Sequence, residues 1–190
     1  MLKDKSKLPE VMVFAGPNGS GKTTITKMAK IVGIYINADD IKLSSHCTDM
    51  EAAKKAEKLR NKAIDDGVDF SFETVLSTRR NLDLLHRAKE CGYFVRGIYV
   101  LTRDPRINIS RIHIRQEAGG HGVPEDKIVD RYNRALKLIP ELVKVCDILH
   151  VYDNTVEPFR IFKKRKDEFF RWSNDVWNED DIIDLTGVPR

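Results

Sequence analysis

Two kinds of apolar run alternate along this chain: short stretches in which nearly every residue is apolar, and longer ones in which apolar residues recur every three or four positions. Val11–Ala15 is an uninterrupted apolar run, the pattern of a strand buried on both faces, and a Gly-rich turn and a helix over Thr24–Lys30 follow it. It reads as the central strand. Ile34–Asn37 is a second short strand. Thr48-Asp49-Met50-Glu51 has the spacing of a capping box and opens a helix that runs to Asp66 and stops at Gly67. Asp69–Thr74 alternates around Phe70 and Phe72 as a third strand. A helix from about Arg79 carries Leu82, Leu85 and Ala88 on one side and ends before Gly92, and Tyr93–Leu101 reads as a fourth strand.

Asp104 and Pro105 suit the N-cap and first position of another helix. Gly119-Gly120-His121-Gly122 breaks it, as a hinge would, and Pro124-Glu125-Asp126 restarts a helix that reaches about Ile139. Ile148–Tyr152 is a fifth strand. Beyond Asn154 the pattern changes: Phe159–Trp172 reads as a β-hairpin around Lys163–Lys166, with an acidic C-terminal segment after it. Strands alternating with helices predict one α/β domain over 1–190, a mostly parallel five-stranded sheet with right-handed crossovers and flanking helices. The lid region covers about 105–138 and a C-terminal extension about 155–190.

Composition narrows the class. Apolar residues are 41% and charged residues 33%, too rich in apolar side chains for a disordered chain. No apolar run is long enough to span a bilayer, and the first residues lack the apolar core of a signal peptide, so the expectation is a cytoplasmic protein without a membrane partner. The 33 basic and 29 acidic residues leave a net charge of only +4, so local clusters decide the partners. Cys47, Cys91 and Cys146 match neither zinc nor disulfide spacing and are expected to be buried structural thiols.

The chemistry concentrates at Gly16-Pro17-Asn18-Gly19-Ser20-Gly21-Lys22-Thr23, which fits the P-loop pattern at every fixed position between a buried strand and a helix. Its glycines let backbone N–H groups turn toward the phosphates of ATP, Lys22 reaches the β- and γ-phosphates, and the Thr23 hydroxyl ligates Mg²⁺. Thr24 continues the helix N-terminus. The fold class is therefore a P-loop NTPase.

An acceptor side separates kinases from other P-loop proteins. Asn37-Ala38-Asp39-Asp40 follows the second strand and emerges at the carboxyl edge that also presents the P-loop, where Asp39 can take a proton from an acceptor hydroxyl while Asp40 caps the next helix. Glu73 closes the third strand, placed to support Mg²⁺ or bind a substrate hydroxyl, with Thr74 beside it. Arg111 and Arg115 form one basic stripe, and Lys127, Arg131 and Arg134 another, on either side of the glycine break. Closing as a jaw, they would neutralise the transferring phosphoryl group and exclude water; the break favours Arg115 and Arg131, with His121 as a hinge or substrate contact. Lys163–Lys166 lacks interleaved aromatics and reads as a solvated hairpin tip, so no nucleic-acid partner is expected.

Taken together, AGPNGSGKTT at 15–24, NADD at 37–40, FSFET at 70–74, GGHGVPEDKI at 119–128, RYNRAL at 131–136 and VYDN at 151–154 resemble the zeta toxin family of bacterial P-loop kinases, in its short chromosomal branch. The resemblance implies a nucleoside-kinase-like fold with a helical lid, and phosphorylation of the 3-hydroxyl of the aminosugar of UDP-N-acetylglucosamine. It gives Asp39 the role of base, Lys22 phosphate binding, Thr23 and Glu73 metal support, and Arg115 and Arg131 transition-state charge stabilisation, with Arg111 and Arg134 as alternatives. It also implies an antitoxin partner. The other reading is a P-loop ATPase or nucleotide-gated interaction module without a sugar substrate.

Overall fold

The structure, a computed structural model, describes residues 8–119 and 124–190. Its strands are β1 (Glu10–Ala15), β2 (Ile34–Ile36), β3 (Phe70–Thr74), β4 (Phe94–Leu101), β5 (Ile148–Asp153), β6 (Phe159–Arg165) and β7 (Glu168–Arg171). The helices are α1 (Lys22–Met28), α2 (Ala38–Ser45), α3 (Asp49–Asp65), α4 (Arg80–Glu90), α5 (Pro105–Glu117), α6 (Glu125–Lys137), α7 (Ile139–Val145) and α8 (Glu179–Thr186). They build one sheet in the order β2-β3-β1-β4-β5-β6-β7. The first five strands are parallel, and β6 and β7 run antiparallel.

The sheet thus has seven strands where five were expected, because the hairpin pairs directly with β5. The reason is burial: β5 carries Leu149 and Val151, and Ile161 and Phe162 of β6 are fully buried beside them. Leaving β5 at the edge would expose a row of unpaired backbone groups next to apolar side chains. The turn itself falls at Lys166, at φ 54°, so Lys163 and Lys164 belong to β6 and only the end of the basic run is a solvated tip.

Local signals account for most elements. Every residue of β1 is buried, as a central strand requires. Thr48 and Glu51 form the expected reciprocal capping box on α3. The Asp104 side chain caps α5, with Pro105 at its start. Leu82, Leu85 and Ala88 of α4 pack into the core with Phe70, Phe72 and Val95. Two assignments change. Asn37, not Asp40, caps α2, accepting the Asp39 backbone N–H at 2.9 Å. The acidic tail folds as α8, with Asn178 and Asp181 as a capping box and three carboxylates in its first turn, where the helix dipole favours them. Of the cysteines only Cys146 is buried; Cys91 is exposed and Cys47 intermediate.

The strand order makes β1 the point from which the chain goes to either side, first through β2 and β3 and then through β4 and β5. A crevice at the carboxyl ends of the strands opens at such a point. Below it, Tyr93 ties α3 to β4: its buried hydroxyl lies 2.7 Å from the Ala63 carbonyl oxygen and 2.9 Å from that of Val68. Tyr93→Phe keeps the ring but strands these acceptors, and is expected to cost about 1 kcal/mol and lower Tm by about 2–4 °C in thermal unfolding.

Candidate active site

The loop between β1 and α1 has its glycines where side chains cannot go. Gly16, Gly19 and Gly21 all have positive φ, and a Cβ on Gly16 would stand 2.0 Å from the Val100 carbonyl oxygen. A Cβ on Gly21 would stand 2.1 Å from the Asn154 side-chain nitrogen. The loop's carbonyls are turned outward and engaged. Asn108 of α5 donates to the Asn18 carbonyl at 2.6 Å, and Asn154, just past β5, donates to that of Ser20 at 2.8 Å. Lys22 Nζ donates to the carbonyl oxygens of Gly16 and Pro17 at 2.8 and 3.0 Å. Ser20 Oγ and Asn18 Oδ1 are buried with no hydrogen-bond partner among the described residues. Thr23 and Thr24 stand exposed in the first turn of α1.

Lys22 brings several expected residues into one site. Burial lowers its pKa to about 8, the carboxylates of Glu73 and Asp39 oppose that shift, and the Arg115 guanidinium adds to it. All three therefore act electrostatically on the ammonium. Glu73, half-buried at the end of β3, accepts a hydrogen bond from the Tyr35 hydroxyl at 2.7 Å, and Asn37 Nδ2 lies 3.4 Å from the same hydroxyl. Burial, followed by this bond to Glu73, pushes the Tyr35 hydroxyl far above its ordinary pKa, so Tyr35 stays a neutral donor holding the carboxylate. Asp39 is exposed in the first turn of α2. Thr74 is committed to local structure: its hydroxyl accepts from the Leu76 backbone and the Asn81 side chain at 3.0 and 2.8 Å.

The four lid arginines separate. Arg111 donates to the Thr155 carbonyl at 3.2 Å, and Arg134 pairs with Asp130 at 2.6 Å on the surface of α6. Arg115 is exposed within the field of Lys22, and Arg131 is half-buried. His121 lies outside the described residues, as does most of the expected hinge; Gly119 closes α5 at φ 87°. Helix α6 buries Ile128, Tyr132 and Ala135, and the Tyr132 hydroxyl donates to the Thr102 carbonyl at 2.6 Å. The Thr102 hydroxyl in turn bonds the Asn108 side chain, whose amide reaches the P-loop. Helix α6 and the phosphate loop thus share one line of hydrogen bonds.

Sequence reading missed Tyr35, Thr102, Asn108 and Asn154 as parts of this site. Asn154 and Tyr132 do stand inside two of the motif stretches, at 151–154 and 131–136; nothing adjacent in sequence marks Asn108, which is recognisable only once α5 packs beside the loop.

A known family matches this chain, and so do known proteins, among them the following three. The model of the Zeta toxin family matches residues 1–167. An uncharacterized protein of Haemophilus influenzae is 32% identical over 129 residues, covering 65% of this chain and 92% of its own length. A structure from the PezAT chromosomal toxin–antitoxin system of Streptococcus pneumoniae superposes with a TM-score of 0.62 at 22% identity, over 85% of this chain and 74% of the other. The AvrRxo1-ORF1:AvrRxo1-ORF2 complex with ATP superposes with a TM-score of 0.64 at 15% identity, over 89% of this chain and 62% of that one. With the P-loop, its two asparagine clamps and the helical lid all in place, the chain belongs to the Zeta toxin family of P-loop phosphotransferases and has a kinase-like fold.

Proposed function

We propose that this protein transfers the γ-phosphoryl group of ATP to a hydroxyl of a nucleotide sugar, with UDP-N-acetylglucosamine as the leading acceptor. The observation that carries the reading is the convergence on Lys22: a phosphate-binding ammonium, two carboxylates from β3 and α2, and an arginine from the lid helix α5. An NTPase that only hydrolyses needs one polar group to orient water, whereas a sugar kinase needs a base for the hydroxyl, further acceptors for the sugar and cations for two sets of phosphates.

In this mechanism the inward N–H groups of the P-loop and the Lys22 ammonium hold the β- and γ-phosphates. Asp39 accepts the proton of the acceptor hydroxyl as its oxygen bonds to the γ-phosphorus and the bond from that phosphorus to the β-bridging oxygen breaks, leaving ADP. Glu73, oriented by Tyr35, positions the sugar. Arg115 and Arg131 face the charge that spreads over the transferring group and help to exclude water. Thr23 and Glu73 offer hard oxygen donors that suit Mg²⁺, and among the described residues no group of three or more His, Cys, Asp or Glu side chains forms a metal site. A phosphate-bound Mg²⁺ asks for only one or two protein oxygens, so this donor set fits. When bound it would neutralise phosphate charge.

An antitoxin protein is the proposed partner, which the family and the PezAT likeness support. The three cysteines are free thiols, in keeping with a reducing cytoplasm.

Incubation with labelled ATP and a panel of nucleotide sugars should give phosphorylated sugar in proportion to ADP, and Lys22→Ala should abolish it. Free phosphate alone, indifferent to every sugar, would move the reading to an ATPase module.

Asp39→Asn should leave ATP affinity nearly unchanged and lower kcat by roughly 10² or more, while Arg115→Ala and Arg131→Ala lower kcat and kcat/KM together. Arg165→Ala, on the exposed end of β6, is the control; equal damage there would refute the jaw.

Bound polyphosphate should raise the Lys22 pKa from about 8, so ATP binding takes up protons above that pH. Affinity should hold below pH 8 and weaken above it, by at most about tenfold per unit. Titration calorimetry in buffers of different ionisation enthalpy measures the uptake, and Lys22→Arg, charged throughout, should abolish it.

A further inference from the structure

Toward the β7 edge, one face of the sheet carries rings and cations together. Along β5, Leu149, Val151 and Asp153 are buried while Ile148, His150 and Tyr152 are half-exposed, so the second set looks outward. The ladder carries this face across four strands: Ile98 pairs with His150, His150 with Lys163, and Lys163 with Phe170. Directly opposed residues share a face. A second row runs from Tyr152 to Arg160, with Trp172 two residues beyond Phe170. Arg160 and Lys163 are three apart and would fall on opposite faces of a regular strand. The register shift between Val151 and Tyr152 puts an extra residue into β6 and brings both to the same side.

Each cation is seated on a ring. The Arg160 guanidinium lies 4.4 Å from the Trp172 ring centre, Lys163 Nζ lies 5.5 Å from that of Phe170, and Arg96 lies 5.9 Å from that of Phe94. Phe170 stacks on Trp172, and His150 on Tyr152. Phe170 is 40% exposed. The carboxylates that the register puts on this face are Glu10, paired with Arg96 at 2.6 Å, Glu168 at the hairpin end, and, two strands in from β4 on the row of His150, Glu73. Burial and the positive field of Arg160, Lys163 and Arg96 lower the His150 pKa to about 4, so His150 is a neutral flat ring at physiological pH. Arg160 Nε is buried with no hydrogen-bond partner among the described residues.

From this arrangement we propose that the open face of β4–β7 binds a single-stranded polynucleotide, with bases stacking on Phe170, Trp172 and Tyr152 and phosphates on Lys163, Arg160 and Arg96. Both parts of the surface are then answered: an acidic peptide would meet the charges and leave the rings bare, whereas bases and phosphates meet both. The row from β4 to β7 spans three strand spacings, roughly 14 Å, enough for more than one stacked nucleotide. The sequence argued against nucleic acid because no aromatic stands within Lys163–Lys166. The interleaving exists in space, supplied by β5 and β7.

The test is fluorescence anisotropy of labelled oligouridylate of about twelve nucleotides, its deoxyribose counterpart and polyglutamate, at salt between about 50 and 200 mM. Three phosphate contacts predict that log K for an oligonucleotide falls with log salt at a slope near −2. Lys163→Glu should weaken binding tenfold or more and flatten the slope. Phe170→Ser should weaken it about fivefold or more at an unchanged slope, since stacking releases no counterions. Both variants should keep the wild-type ATP affinity and a single cooperative unfolding transition, which separates this face from the kinase site. Tighter binding of the ribose or the deoxyribose strand would support the proposal and identify the sugar. It would be overturned by no oligonucleotide binding at the lowest salt, by binding unchanged in both variants, or by polyglutamate binding as tightly, which would mark a docking face for an acidic protein.

Discussion

A loop can offer its N–H groups to an anion only if its carbonyl oxygens find partners on the other side. In this protein that requirement falls on three side chains from outside the loop's turn: Asn108 from α5, Asn154 after β5, and Lys22 from the helix the loop opens. The strand order serves the same need, because β4 beside β1, and β5 beside β4, bring α5 and Asn154 within reach of the loop. The glycines are the counterpart: a side chain on Gly16 or Gly21 would collide with the neighbouring strand or with the clamp itself.

Electrostatics around the loop are arranged with similar economy. Burying an ammonium is costly, and Glu73 and Asp39 offset that cost without contacting Lys22 in any direct ion pair. A tight pair would block the phosphate site. Holding the carboxylates at a remove, with Glu73 secured to Tyr35 instead, leaves Lys22 on main-chain oxygens that a more strongly negative ligand can outcompete.

Much of this was legible in the chain as written, for definite physical reasons. The P-loop, the capping box at Thr48 and the Asp104-Pro105 start are local devices, and local devices survive into the fold. Asp39 and Glu73 could be placed because parallel strands deliver their C-terminal residues and the turns beyond them to one edge. The parts that could not be read depend on pairing between distant segments. The hairpin's union with β5, the bulge that sends Arg160 and Lys163 to one side, and the Asn108 clamp all need the sheet to exist first. Helix α8 was hidden for another reason: Asn178 as cap and three acidic residues read as polarity alone unless the dipole of the coming helix is considered. Cys91 shows the converse, a residue type usually buried that lies just past α4 in the open.

Both asparagine clamps, and the tyrosine that docks the lid, grip main-chain oxygens at Asn18, Ser20 and Thr102. Heredity therefore acts on these joints from one side only. The joints themselves ask nothing of the side chains at 18 and 20, since every residue carries the same carbonyl, whereas Asn108, Asn154 and Tyr132 hold the only atoms of each joint that a codon can change. Among descendants of this chain, selection on these joints falls on three residues outside the P-loop pattern, while positions 18 and 20 answer to other constraints, such as the full burial of Ser20.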